Sequence, residues 1–183
     1  MTENEIIDIY KRVYDLTGSI TVTSFDCGTL CDKRCCKTFA HPQALPENQD
    51  HGMELYPGEE LILAAELKKR KWLTYRFLNG WEYDLPPSWS KEEGVYFVGC
   101  TSPCPREYRP LRCRVFPYKP VLKPSGRIVL RLESGAPNYC PLSEAQLDPE
   151  ARKKLQAAIE LLATIPKVRE LLWWDAQPGN SRD

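Results

Sequence analysis

No stretch of this chain approaches 18 consecutive apolar residues, so no membrane-spanning helix is expected and no membrane partner with it. Net charge is absent too: 25 basic residues balance 25 acidic ones, which disfavours a globally basic nucleic-acid binder although a local patch survives that argument. The opening MTENEIIDIYKRVYDL lacks a basic region followed by an apolar one. No secretory signal is therefore visible, and a cytoplasmic location is expected. Strings of the G-x-G-x-x-G, P-loop, G-x-S-x-G and H-E-x-x-H types are missing, so the chemistry they carry is not indicated. Histidine is scarce, with only His41 and His51. Cysteine is not.

Eight cysteines stand in 183 residues: Cys27, Cys31, Cys35, Cys36, Cys100, Cys104, Cys113 and Cys140. A reducing compartment argues against structural disulfides. Random scatter of buried thiols would not put four within ten residues and three more between 100 and 113. Eight is also two sets of four, the ligand number of a tetrahedral thiolate zinc site and of a cubane iron–sulfur cluster. All eight are therefore candidate metal ligands. With every thiol so assigned, no nucleophile–base pair remains, and the reading leans away from an enzyme.

The rest of the chain reads as one α+β domain over 1–183: a small irregular fold with a cysteine-rich metal-binding centre at about 25–142, a β-hairpin or small antiparallel sheet, and flanking helices. A helix over 2–17 begins at a capping box, Thr2 with Glu5, and can end at Gly18. Ile6, Ile9, Tyr10, Val13 and Leu16 form its apolar face, with Ile7 and Tyr14 flanking. Residues 20–25 read as a strand. A second helix is expected to start at Pro57, with Glu59 and Glu60 in its first turn, Leu61, Ala64, Ala65 and Leu67 as its apolar positions, and Lys68 to Lys71 at its end. Strands are expected over 73–78, 95–98 and 115–122, the last joined through Lys123-Pro-Ser-Gly to a strand over 128–132. Asp148 and Pro149 open a helix to about Thr164, and Pro166 opens another to about Asp175. Both are expected to pack on the core, and Trp173-Trp174 to cap it.

In the first cysteine block every gap between Cys27, Cys31 and Cys35 holds three residues, where zinc knuckles place two. On a helix, Cys27 and Cys35 would stand roughly 12 Å apart at ~1.5 Å per residue, too far for two thiolates on one ion at about 2.3 Å. The segment must curl around an inorganic core or divide its ligands between two sites. Gly28 supplies backbone freedom for curling. The second block, Cys100-Thr-Ser-Pro-Cys104-Pro-Arg-Glu-Tyr-Arg109-Pro110-Leu-Arg-Cys113-Arg114-Val-Phe116-Pro117, is stiffened by four prolines and is expected to be loop. Arg106, Arg109, Arg112 and Arg114 face only Glu107 as local counter-charge. Guanidinium groups near crowded thiolates lower their pKa values and donate hydrogen bonds to sulfur, so Arg109 and Arg114 are candidate contacts to the bound centre. Cys140-Pro141 can complete a ligand set.

These three fragments resemble the YkgJ-type cysteine-cluster family of zinc- or iron-chelating proteins. The likeness lies in eight cysteines, the Cys35-Cys36 pair, the run Arg109-Pro110-Leu-Arg-Cys113-Arg114-Val-Phe116-Pro117 and Cys140-Pro141, over about residues 25–142. The first block departs from the family's tighter form. The resemblance implies metal chelation.

Thiolate-only ligation suits iron–sulfur chemistry and zinc alike. Irregular three-residue gaps and the 63 residues between Cys36 and Cys100 fit a cluster core of larger radius better than a zinc knuckle. An iron–sulfur cluster or chelated iron, for redox or metal-handling work, is thus the favoured expectation. The alternative is a structural zinc site in an interaction module whose helices serve a protein partner. A third reading, a metalloenzyme with a cluster beside an open pocket, requires a free coordination position. His41 and His51 read as solvated loop residues, and the run 68–71 as charges suited to a helix C-terminus.

Overall fold

A computed structural model describes residues 1–18, 52–69, 73–100, 108–133, 140, 142 and 148–180. The expected strand at 20–25, Cys27, Cys31, Cys35, Cys36, Cys104, Arg106, both histidines, Arg70 and Lys71 lie outside these residues, and of Cys100 only the backbone is described. The elements in chain order are α1 (Glu3–Gly18), β1 (Gly52–Glu54), α2 (Glu60–Lys69), β2 (Leu73–Asn79), β3 (Gly94–Cys100), α3 (Leu111–Val115), β4 (Tyr118–Leu122), β5 (Ile128–Leu132), α4 (Pro149–Leu162) and α5 (Pro166–Asp175). The class is α+β, with a three-stranded antiparallel sheet ordered β1-β3-β2 and a separate β4–β5 hairpin.

Local chemistry sets the helix starts. In α1 the Glu5 amide donates to Thr2 Oγ1 at 3.3 Å and the Thr2 amide to Glu5 Oε2 at 2.7 Å, the reciprocal capping box. Asp148 caps α4 by accepting from the Glu150 amide at 2.9 Å, and Pro149 and Pro166 occupy first-turn positions of α4 and α5, where a missing N–H is not needed. The hairpin turn closes through Gly126 at φ +81°, a backbone conformation that favours glycine.

Alternation along β3 sorts the interior. Val95 and Phe97 face a cluster with Leu78, Leu85, Trp89 and Leu171, while Val98 on the opposite face packs with Leu55 and Leu63, bordered by Tyr14, Ile62 and Tyr96. The largest cluster joins Tyr10 and Val13 of α1 to the buried faces of α4, α5 and the hairpin. Helix α4 also closes the edge of β5. Gln156 accepts the Leu130 amide at 3.1 Å and donates to the Ile128 carbonyl at 2.6 Å, and Arg152 donates to the Leu130 carbonyl at 2.9 Å. An open strand edge invites pairing with other chains; side chains occupy this one.

Four expectations need correction. Pro57 lies in a turn and the second helix starts at Glu60, because the chain first bends at Gly58, φ +91°; among that helix's described side chains Leu63 is buried and Leu61 partly buried, while the side chains of Ala64, Ala65 and Leu67 lie outside the description. Residues 111–115 are helical, so the strand expected from 115 begins only at Tyr118 and the second cysteine block is not wholly loop. In α1, Leu16 is 44% exposed and Thr17 is buried, since Thr17 Oγ1 bonds back to the Val13 carbonyl at 2.8 Å on the side facing Arg114. Of the expected Trp173-Trp174 cap, Trp173 is half exposed and Trp174 partly buried, while Leu171 and Leu172 fill the interior. No helix among the described residues is long and apolar enough to cross a membrane.

Candidate metal centre

Helix α3 carries Cys113, and its position follows from the residues on either side. Leu111 is wholly buried, and its amide donates to Glu59 Oε1 at 2.8 Å. Glu59 is itself wholly buried at the start of α2. It also accepts from Tyr14 Oη at 2.6 Å and, through Oε2, from the Tyr56 amide at 3.0 Å. Burial raises its carboxyl pKa, against the pull of these three donors and the charge of Arg114. The Glu59 carboxyl therefore joins α1, the turn before α2 and the first residue of α3.

Arg112 and Arg114 flank Cys113, and both are stacked on tyrosines. The Arg112 guanidinium lies 4.7 Å from the Tyr56 ring centroid, and its Nη2 stands 3.4 Å from Asp175 Oδ2 and 3.5 Å from Glu54 Oε2. It thereby joins α3 to β1 and to the end of α5. Arg114 lies 4.2 Å from the Tyr14 ring centroid and is 4% exposed. Its Nε donates to the Arg109 carbonyl at 2.8 Å, and its Nη1 donates to the Tyr14 carbonyl at 3.3 Å and to Thr17 Oγ1 at 3.1 Å. Helix α1 has no basic residue in its own last turn, so Arg114 brings a cation to the carbonyl end of that helix from 97 residues away.

The Cys113 thiol is half-buried and 3.0 Å from the thioether sulfur of Met53 on β1. Met53 is in register with Val98 of β3, and the preceding Gly52 is in register with Gly99, one residue before Cys100. Residues 19–51, which carry Cys27, Cys31, Cys35 and Cys36, lie in sequence between the end of α1, bonded to Arg114 through Thr17, and Gly52, next to the methionine that touches Cys113. Residues 101–107, which carry Cys104, lie in sequence between the end of β3 and the residues ahead of α3. Cys140 is half-buried, two residues before Leu142, which packs on the main core.

Of the sequence-derived candidates, Cys113 and Arg114 are consecutive residues of α3, and Arg109 is bound to Arg114 through its carbonyl. The Arg109 side chain holds its Nε buried without a hydrogen-bond partner among the described residues. Those residues include no group of three or more His, Cys, Asp or Glu arranged to hold a metal ion, and six of the eight cysteine side chains lie outside them. Sequence reasoning missed Met53, Glu54, Glu59 and Asp175. For Met53 one signal existed: it is one of two methionines in the chain. No protein-family model, curated protein or solved structure matches this chain.

Proposed function

We propose that this protein binds a metal through its eight cysteines, holding an iron–sulfur cluster or chelated iron for redox or metal-handling work. One observation carries the reading. Of the described residues that flank the segment with four cysteines, Thr17 accepts a hydrogen bond from Arg114 and Met53 Sδ meets Cys113 Sγ at 3.0 Å. Each flank of that segment thus has a contact with α3, the helix that carries Cys113. Arg112 and Arg114 flank Cys113 on α3, Arg112 paired with Glu54 and Asp175 and Arg114 buried against the end of α1. Cys27, Cys31, Cys35, Cys36, Cys100, Cys104, Cys113 and Cys140 are the proposed ligands. Arg109 and Arg114 support the site from beside it.

Iron is preferred to zinc on the irregular three-residue gaps and the 63-residue separation of Cys36 from Cys100. The test is the visible absorption spectrum of the full chain purified without oxygen, with iron, sulfide and zinc measured on the same sample. Brown protein with sulfide-dependent absorption supports the cluster. Colourless protein with stoichiometric zinc selects a structural site instead.

A further inference from the structure

The strand edges of this fold are guarded unequally. Gln156 and Arg152 occupy the edge of β5, and β1 is only 3 residues long. At the other edge of the three-stranded sheet, β2 has 7 residues and no proline. It is matched one to one with β3 from Leu73 to Asn79, so no bulge interrupts it. Short strands, prolines, bulges and covering side chains are the usual guards of an edge. Backbone alternation shows which groups of β2 point outward. The Leu55 amide donates to the Tyr96 carbonyl at 2.7 Å, so Tyr96 and Val98 turn their backbone groups toward β1. Val95, Phe97 and Gly99 then bond to Leu78, Arg76 and Thr74 of β2. The Gly80 amide, bonded to the Glu93 carbonyl at 3.1 Å, continues the same alternation. Tyr75 and Phe77 thus direct N–H and C=O away from β3, and no described residue meets those groups with a hydrogen bond. Their side chains are exposed as well, with ring centroids 6.2 and 5.1 Å from that of Tyr96.

We propose that β2 pairs antiparallel with β2 of a second copy of this chain, about a two-fold axis at Tyr75, joining two three-stranded sheets into one. The inference is independent of the cysteine centre. A two-fold axis normal to the sheet keeps each face with its like, so residues set opposite one another share a face. An axis at Arg76 would oppose two like charges, which is destabilising. An axis at Phe77 would call on the Asn79 carbonyl, which already accepts from the Glu82 and Tyr83 amides at 3.1 and 2.9 Å. With the axis at Tyr75, the outward backbone groups of Leu73, Tyr75 and Phe77 all find partners. Tyr75 then meets Tyr75, and Arg76 meets the neutral Thr74. The charge pattern selects a copy of the same chain as occupant. Exposed Lys69, within the basic run 68–71, precedes β2, and exposed Glu82 and Asp84 follow it. Antiparallel pairing sets the basic end of each β2 beside the acidic end of the other. A net charge of zero adds no overall repulsion between copies.

Sedimentation velocity tests this on the full chain, purified without oxygen so that no disulfide joins two copies, from ~1 to ~100 μM. A dimer that grows with concentration is expected, and hydrogen exchange at the Tyr75 and Phe77 amides should slow in step with it. Tyr75→Lys sets two cations opposite each other on the axis and should raise the dimer dissociation constant at least ~10-fold; Tyr75→Glu should do the same with two anions. Mixing the two variants places Lys opposite Glu and should restore the dimer. A wild-type chain that stays monomeric throughout overturns the pairing, and so does one that is monomeric yet binds an extended peptide of another protein at this edge. A dimer indifferent to Tyr75→Lys overturns it as well, as does a mixture of folded variants that remains monomeric. If the variants fold poorly, the wild-type chain decides: exchange at Tyr75 and Phe77 that ignores concentration contradicts the proposal.

Discussion

Glu59 and Leu111, 52 residues apart in sequence, are joined by a 2.8 Å hydrogen bond in which a backbone amide donates to a wholly buried carboxyl oxygen. That bond fixes the start of α3 against the start of α2, two residues before Cys113. With Tyr14 and the Tyr56 amide on the same carboxyl, three parts of the chain are set around one side chain. The cysteine corner is therefore held by polar contacts buried next to it, and these are the contacts that substitution should expose.

Arg114 is the first of them. Arg114→Ala leaves the Tyr14 and Arg109 carbonyls and Thr17 Oγ1 without their guanidinium donor and removes a buried cation beside Glu59. The expected loss is about 3–5 kcal/mol, the scale for breaking a buried charged network by removing one partner. Arg114→Lys keeps the charge but not the planar fork, and should lose less. Urea denaturation midpoints at unchanged slope provide the measurement. A midpoint for Arg114→Ala equal to the wild type would show that the network contributes nothing.

Stability should also depend on pH through Glu59. Its folded pKa is raised above the ordinary 4.5, chiefly by burial. The folded chain then holds that proton more tightly than the unfolded chain does. This group's favourable contribution is complete below about pH 4.5 and is lost as pH rises through the folded value. Glu59→Gln cannot titrate and, with one carbonyl oxygen, cannot accept from all three donors. It should be less stable than wild type at low pH, with the gap narrowing towards neutrality. Parallel urea titrations at about pH 4 and about pH 7 measure this. A gap that widens with pH would contradict the account.

Gly94 supplies a backbone prediction. A Cβ there would lie 2.1 Å from the Leu78 carbonyl oxygen and 2.8 Å from Phe77 Cζ, so β2 and β3 would have to separate. Gly94→Ala should cost about 1–3 kcal/mol, as overpacking does. Gly18→Ala, with no atom of the described residues within 4 Å of the added carbon, should be close to neutral. Thermal unfolding of the two variants side by side separates them, and similar midpoints would count against the strand geometry.

Much of the fold was legible because it is local. Thr2 with Glu5, Asp148 before Pro149, Pro166, and the turn ending in Gly126 each act within a few residues, and each marks the boundary that sequence reasoning assigned to it. What escaped was set by distant partners. Thr17 outranks Leu16 on the buried side because Arg114 reaches it from 97 residues away. Glu59 reads from the sequence only as a first-turn carboxylate, and its burial depends on Tyr14 and Leu111 from distant parts of the chain. Helix α3 was hidden by its prolines: Pro110 precedes it and Pro117 lies two residues past its end, and its five residues are too few for a periodic signal. In the candidate site, cysteine spacing pointed to the thiols. Nothing local could pair Met53 with Cys113 or Arg112 with Asp175.

The most direct test of the central claim is the metal-to-protein ratio of the full chain purified anaerobically, compared with Cys113→Ser prepared in the same way. The account predicts bound iron, or failing that zinc, in at least equimolar amount in the wild type and a clear loss of it in the variant while the fold is retained. A wild-type chain free of metal that also takes up none when iron and sulfide, or zinc, are supplied would contradict it.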